Sequence, residues 1–161
     1  MRFEKVSFEE FRKNFGLEKA AAWAYENVQL PHRGTAGSAG YDFYLPMPVC
    51  LTPGTPMVIP TGIRVQIDPG YFLMCVPRSG LGFKHGVQLR NTVGIIDADY
   101  YYADNEGHIM ASLTSEVPVN LKEGDRFMQG IFVPYAITED DDPIKQERHG
   151  GFGSTGGAGE T

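Results

Sequence analysis

From about residue 40 onward the chain is cut into short apolar runs by proline and glycine, and this punctuation restricts the possible folds more than any other feature. Tyr41 to Leu45, Val58 to Ile67, Tyr71 to Val76, Val87 to Ile96, Ile109 to Leu113 and Phe127 to Ile137 are rich in β-branched and aromatic residues and evenly spaced. None has the length and period of a long helix, so an alternating βαβ sheet is disfavoured. The pattern predicts an all-β domain, a sandwich or jelly-roll-like barrel. A chain of 161 residues fits one such domain. Residues 3 to 26 have a different texture: Phe3, Phe8, Phe11 and Phe15 are followed by an alanine-rich run through Trp23. Ser7 and Glu10 stand in a capping-box arrangement, so one or two short helices are expected, separated at Gly16. After Ile137 the chain turns acidic, Glu139 to Asp142, and then glycine-rich, a composition that predicts a flexible tail. The expected division is a helical extension over 1–27, a β core over 28–137 and a tail over 138–161.

Charge and composition exclude several classes of function. A net charge of -6 and a pI near 5.1 oppose a long contact with nucleic-acid phosphates, which needs a Lys/Arg surface. A small anion escorted by a metal cation remains compatible. His32, His85, His108 and His149 do not pair with a second His or Cys at zinc-ligand spacing, and there is no CxxC, so no zinc site is expected. No apolar run approaches the roughly 20 residues needed to cross a bilayer. Without a signal-peptide-like stretch, Cys50 and Cys75 are expected as free thiols in a reducing cytoplasm.

Three segments could carry chemistry, and each also has a plain structural reading. Pro77-Arg78-Ser79-Gly80-Leu81-Gly82 follows an apolar strand and could aim backbone N–H groups and a guanidinium at a phosphate. By itself it also reads as a turn with a surface arginine. Asp97 ends the run Val93-Gly94-Ile95-Ile96, where partial desolvation would raise its basicity toward a bound water; the plain reading is a turn aspartate in Asp97-Ala98-Asp99. Tyr100, Tyr101 and Tyr102 continue as an aromatic cluster whose ordinary role is hairpin packing. The third segment, Gly150 to Gly157, combines glycine N–H groups, Ser154 and Thr155 with Phe152, whose ring could stack on a base; its composition is also that of a linker end. Lacking a lysine before the hydroxyl residue, it is not a Walker A loop.

Taken together in order, these segments resemble the five motifs of trimeric dUTPases: SAGYDF at 38–43, PRSGLGFKHG at 77–86, NTVGIIDADY at 91–100, GDRFMQGIF at 124–132 and GGFGSTG at 150–156. The resemblance implies a dUTPase-like β-clip, a jelly-roll-like barrel. It implies a homotrimer with sites between subunits, and magnesium-assisted hydrolysis of dUTP to dUMP and pyrophosphate, which keeps uracil out of DNA and supplies dUMP for thymidylate synthesis. By the same resemblance Asp97 activates the water that attacks the α-phosphorus, and Tyr100 lies under the deoxyribose. Asn91, with the hairpin backbone at Ile95 and Ile96 and with Met110 on the returning strand, reads the uracil edge. Arg78, Ser79, Gly80 and Gln129 bind phosphate, as do the tail residues Arg148, Gly153, Ser154 and Thr155, while Phe152 covers the base. Asp42 acts near the metal through water.

This chain departs from the family pattern where Tyr101 to Asn105 are inserted before Glu106-Gly107, and where Arg148-His149-Gly150-Gly151 tightens the tail spacing. A dCTP deaminase of the same architecture would carry a glutamate in a different third motif. A second role as a nucleotide-controlled binding protein would place its partner at the N-terminal extension or the inserted hairpin.

Overall fold

A computed structural model describes residues 1–143 of the chain. Twelve strands and three short helices alternate along those residues. The strands are β1 (Arg2–Lys5), β2 (His32–Arg33), β3 (Tyr41–Tyr44), β4 (Val49–Leu51), β5 (Met57–Pro60), β6 (Ile63–Gln66), β7 (Tyr71–Pro77), β8 (Gln88–Leu89), β9 (Gly94–Ile96), β10 (Met110–Thr114), β11 (Val119–Leu121) and β12 (Arg126–Pro134). The helices are α1 (Phe8–Arg12), α2 (Glu18–Glu26) and α3 (Ser79–His85), and a 3-10 turn covers Ala98–Tyr102. The largest sheet has the order β2-β3-β12-β7-β9; β5-β10-β8, β1-β6 and β11-β4 complete the fold, and every pairing is antiparallel. The architecture is the expected mostly-β, jelly-roll-like one, although its hydrogen bonds are divided among four sheets and do not close into one barrel. Among the described residues no helix is long and apolar enough to cross a membrane.

Two of the expected long strands are broken, for local reasons. The run from Val58 to Ile67 divides at Thr61-Gly62, where Gly62 has a φ of +72° and Thr61 Oγ1 donates to Ile109 O at 2.6 Å and accepts from Ile63 N at 3.1 Å. The chain thereby leaves β5, paired with β10, and enters β6, paired with β1. The run from Val87 to Ile96 divides at a turn over residues 90–93. Segment 79–85, read from sequence as a turn, forms α3, which ends in a left-handed Gly86 with a φ of 59°. Two glycines in seven residues hide such a helix from any propensity argument.

Residues 1–27 contain more than helices, because β1 precedes them and pairs with β6. Phe3 on β1 packs its ring within 5.7 Å of those of Tyr41, Phe43 and Phe132. Phe11 is fully buried, against Phe15, Tyr25 and His108. Ser7 caps α1 by accepting from Glu10 N at 3.1 Å, as the capping box predicts. The reciprocal bond comes from elsewhere: Ser7 N and Oγ donate to the Glu106 carboxylate at 2.8 and 2.6 Å, while Glu10 pairs with Lys13. The extension and the inserted tip are thus tied together.

His108 is 1% exposed, and its Nε2 accepts from Gly62 N at 2.9 Å, so the neutral ring carries its proton on Nδ1. Burial pushes its pKa down to about 4, against the opposing pull of Glu106. A protonated ring would lose the Gly62 bond and be charged in the core. Because the folded pKa lies below the unfolded value of about 6.5, the associated stability is fully present above pH 6.5 and is lost as pH falls from there toward 4, by roughly 3 kcal/mol. A proton NMR titration should place His108 below pH 5; titration near 6.5 would contradict this environment.

Candidate active site

The five-stranded sheet places its functional side chains by register. Gln129 on β12 lies opposite Asp42 on β3 and Val76 on β7. Residues two apart on a strand share a face, so Arg78, just past the end of β7, projects on the same side as Val76 and Gln129. Arg126 would fall on the opposite face of an unbroken strand, being three residues from Gln129. A bulge between Arg126 and Met128 resets the alternation, leaving Phe127 as the extra residue. The carbonyl of Phe127 accepts from Arg78 N at 3.2 Å, which fixes the second arginine to the same bulge.

Asp42 is the anchor of this face. Its side chain is 9% exposed; Oδ1 meets Arg78 Nε at 3.1 Å and Oδ2 meets Arg126 Nη1 at 3.1 Å. One buried carboxylate therefore holds two guanidiniums, and both arginines border a polar cavity of about 310 Å³. Gly34, Thr35, Ser38, Gly40, Ser79 and Gln129 complete its lining. A Cβ on Gly40 would overlap the Gln129 amide oxygen, so glycine there leaves room for that side chain. Arg78 and Arg126 also border an adjoining cavity of about 420 Å³, with Gly80, Lys84 and His85. With two arginines per carboxylate plus hydroxyl and amide donors, this arrangement suits an oligophosphate.

A second, smaller cavity, about 80 Å³, is lined by Asn91, Gly94, Ile95, Ile96 and Met110 with Cys75 and Met128. It brings together the four residues expected to read a base. Beside it, Asn91 and Met110 also border an open groove with Val58, Arg90 and Ser112. Thr92 holds the turn next to Asn91 with a φ of 67°, and Val93 N donates to Asn91 O at 2.7 Å. This conformation is costly for a β-branched residue, and its place beside Asn91, which lines the cavity, fits a preorganised binding turn. Burial raises the pKa of Cys75, in the cavity wall, to about 12, which leaves an inert apolar thiol there.

Asp97 and Tyr100 border neither cavity. Asp97 follows Ile96 out of β9 and starts the 3-10 turn; on the isolated chain it is exposed, so the expected partial desolvation is not found there. The strand ends at buried Ile96, and the backbone steps into solvent at the next residue. Tyr100, by contrast, is 4% exposed; its hydroxyl donates to His108 O at 2.8 Å and accepts from Asn105 Nδ2 at 2.7 Å. Arg148, Phe152, Gly153, Ser154 and Thr155 lie outside the described residues. Arg126 and Gly40 were not singled out from sequence, although Arg126 stands in the same quoted segment as Gln129. Strand alternation sets those two on opposite faces, and the bulge that reunites them leaves no mark in composition.

Among the described residues no cluster of three or more His, Cys, Asp or Glu side chains is placed to hold a metal. Asp42 has both carboxylate oxygens committed to guanidiniums, so it does not fit direct ligation of a metal.

Comparison with known proteins identifies relatives of this chain. A family model described as dUTPase matches residues 26–156. The deoxyuridine 5'-triphosphate nucleotidohydrolase of Lactococcus lactis is 40% identical over 146 residues, covering 88% of this chain and 97% of that protein. That of Paraburkholderia xenovorans is 42% identical over 137 residues, covering 80% and 89%. The crystal structure of dUTPase from Streptococcus mutans superposes with a TM-score of 0.66 at 33% identity, covering 85% of this chain and 98% of that one. A dUTPase from phage phi11 of S. aureus, in a structure described as revealing the coordination of a structural Mg(II) ion, shares the fold with a TM-score of 0.62 at 23% identity, covering 75% and 92%. On the strength of the family match and these relatives, the chain belongs to the dUTPase family.

Proposed function

We propose that this chain hydrolyses dUTP to dUMP and pyrophosphate, with Asp97 as general base for the attacking water. The observation that carries the reading is the buried Asp42 carboxylate aligning Arg78 and Arg126 over a cavity that also presents Ser79 and Gln129. These groups take the phosphates, whose negative charge otherwise repels the nucleophile. Arg148, Gly153, Ser154 and Thr155 in the tail over 138–161 are assigned to the same phosphate chain, and Phe152 to covering the base. Magnesium, when bound, would neutralise oxygens of the triphosphate, and Asp42 would address it through water.

Asn91, the backbone at Ile95 and Ile96, and Met110 take uracil. Uracil presents an N3 donor between two carbonyl acceptors, whereas cytosine reverses that pattern and would leave buried groups unpaired, a mismatch worth up to about ten-thousand-fold in discrimination.

The active form is a homotrimer. Met128 borders the base cavity and its neighbour Gln129 the phosphate cavity, and adjacent residues of a strand face opposite sides of a sheet. A nucleotide reaching from one cavity to the other would have to cross the sheet, whereas two copies can offer opposite faces to one nucleotide. Ile95 and Val58, beside the base cavity, are 52% and 56% exposed on the single chain, apolar surface suited to such an assembly. Asp97, exposed on one copy, would be desolvated between two. Tyr102, 75% exposed on the inserted tip, is where a protein partner would meet the surface. Free thiols at Cys50 and Cys75 suit the cytoplasm.

Two experiments test the reading. Pyrophosphate release from dUTP, dCTP, dTTP and UTP, measured side by side with magnesium, should be fast for dUTP alone and without ammonia from dCTP. Asp97→Asn should bind a non-hydrolysable dUTP analogue as the parent does, yet turn over dUTP at least about a hundredfold more slowly; near-normal turnover would remove Asp97 from the mechanism. Separately, Gly40→Ala should remain folded, because the atom it meets is the movable end of Gln129, but should displace that amide and lower kcat as Gln129→Ala does. An unchanged kcat in Gly40→Ala would show that Gln129 does not act from its position in the cavity.

A further inference from the structure

The inserted tip carries a side chain that acts on the ring of Tyr100. Asn105, the last inserted residue, donates from Nδ2 to the Tyr100 hydroxyl at 2.7 Å, and that hydroxyl donates onward to His108 O at 2.8 Å. Both the proton and a lone pair of the phenol are thus engaged. Asn105 is itself held from two sides. Its Oδ1 accepts from Gly107 N at 3.2 Å, closing a tight turn. Next to it Glu106, with a φ of 58°, is pinned to Ser7 N and Oγ. Burial pushes the Glu106 carboxyl upward, but the Ser7 bonds and the Arg64 charge outweigh it and keep the group anionic. Gly107, with a φ of 71°, lies so close under Tyr100 that a Cβ there would stand 2.7 Å from Tyr100 O. On the other side of the tip, Tyr101 donates to Glu4 at 2.7 Å and receives Arg64 both at its carbonyl, 2.9 Å, and over its ring, 3.7 Å from the centroid.

We propose that Asn105 is a positioning residue that fixes Tyr100 as an unyielding wall against a 2'-hydroxyl, and so sets the preference for deoxyribonucleotides. The inference rests on the reading that Tyr100 stands under the deoxyribose. A wall rejects one extra oxygen only if it cannot recede. At 4% exposure Tyr100 is enclosed except for a sliver, and its hydroxyl, bonded to Asn105 and to His108 O, limits the freedom of the ring to shift. Asn105 closes that freedom from an insertion, and β1 with the cap of α1 hold the insertion in place.

The test compares kcat/KM for dUTP and for UTP in the parent, Asn105→Ala, Asn105→Ser, Tyr100→Phe and the double variants. Serine can still accept from Gly107 N but is too short to reach the phenol, so it separates the turn from the Tyr100 contact. Both single Asn105 variants should lower the dUTP/UTP ratio about tenfold, mainly by a fall in KM for UTP, with kcat for dUTP within about threefold of the parent. In the Tyr100→Phe background, which has no hydroxyl to hold, the same substitutions should change the ratio by less than about twofold. A folded Asn105→Ser whose ratio equals the parent's would overturn the inference, as would an Asn105 effect undiminished in Tyr100→Phe. A parent enzyme inactive on dUTP would instead sink the functional reading beneath it.

Discussion

The site depends on one carboxylate that is nearly out of solvent. Asp42 lies 7% exposed in the largest sheet and is paired with Arg78 and Arg126 at the same 3.1 Å distance. A buried charge of this kind is tolerable only while it is paired, and stripping it of a partner costs about 3–5 kcal/mol. The arrangement is therefore self-enforcing: the arginines must stay where the carboxylate needs them, and those are the positions from which they line the cavity. Donors fixed before a ligand arrives need no reorganisation when charge develops during reaction. Gln129, held over the glycine at position 40, adds a neutral donor to the same preset group.

The same sheet carries two unlike surfaces because a strand alternates. One side collects Asp42, Arg78, Arg126 and Gln129; the other carries Cys75, Met128 and the apolar walls around Asn91 and Gly94. On the proposed reading, an apolar base cavity on one side and a charged phosphate cavity on the other keep guanidiniums away from a pocket whose selectivity rests on matched neutral hydrogen bonds. In the proposed homotrimer, assembly of copies lets both sides address a single molecule.

Much of this was legible from residue order alone. The spacing of proline and glycine specified a mostly-β domain, and the structure gathers Asn91, Ile95, Ile96 and Met110, expected to read a base, in one cavity, and Arg78, Ser79 and Gln129, expected to bind phosphate, beside Asp42 in another. What escaped reading has physical causes. Strands of two to four residues, such as β1, β2, β4 and β11, carry too few alternations to register as a period. The corner at Thr61-Gly62 is set by a hydrogen bond to His108, 46 residues away, which no local window contains. The reciprocal half of the Ser7 cap comes from Glu106, 99 residues away, in place of the expected Glu10. Tertiary contacts of that kind also explain why the N-terminal segment, outside the matched family region for its first 25 residues, is built into the core through Phe3 and Phe11.

The bulge in β12 has a further meaning for how such a chain can change over time. Its extra residue, Phe127, is wholly enclosed, while its carbonyl tethers Arg78 and its presence turns Arg126 outward. Hydrophobic packing and cation placement are thereby welded into a single backbone irregularity. Sequence drift can trade one apolar ring for another at this position, but losing the residue would point Arg126 inward and slacken Arg78 together. The constraint falls on chain length rather than on side-chain identity, so homologous strands should resist deletions here far more strictly than substitutions.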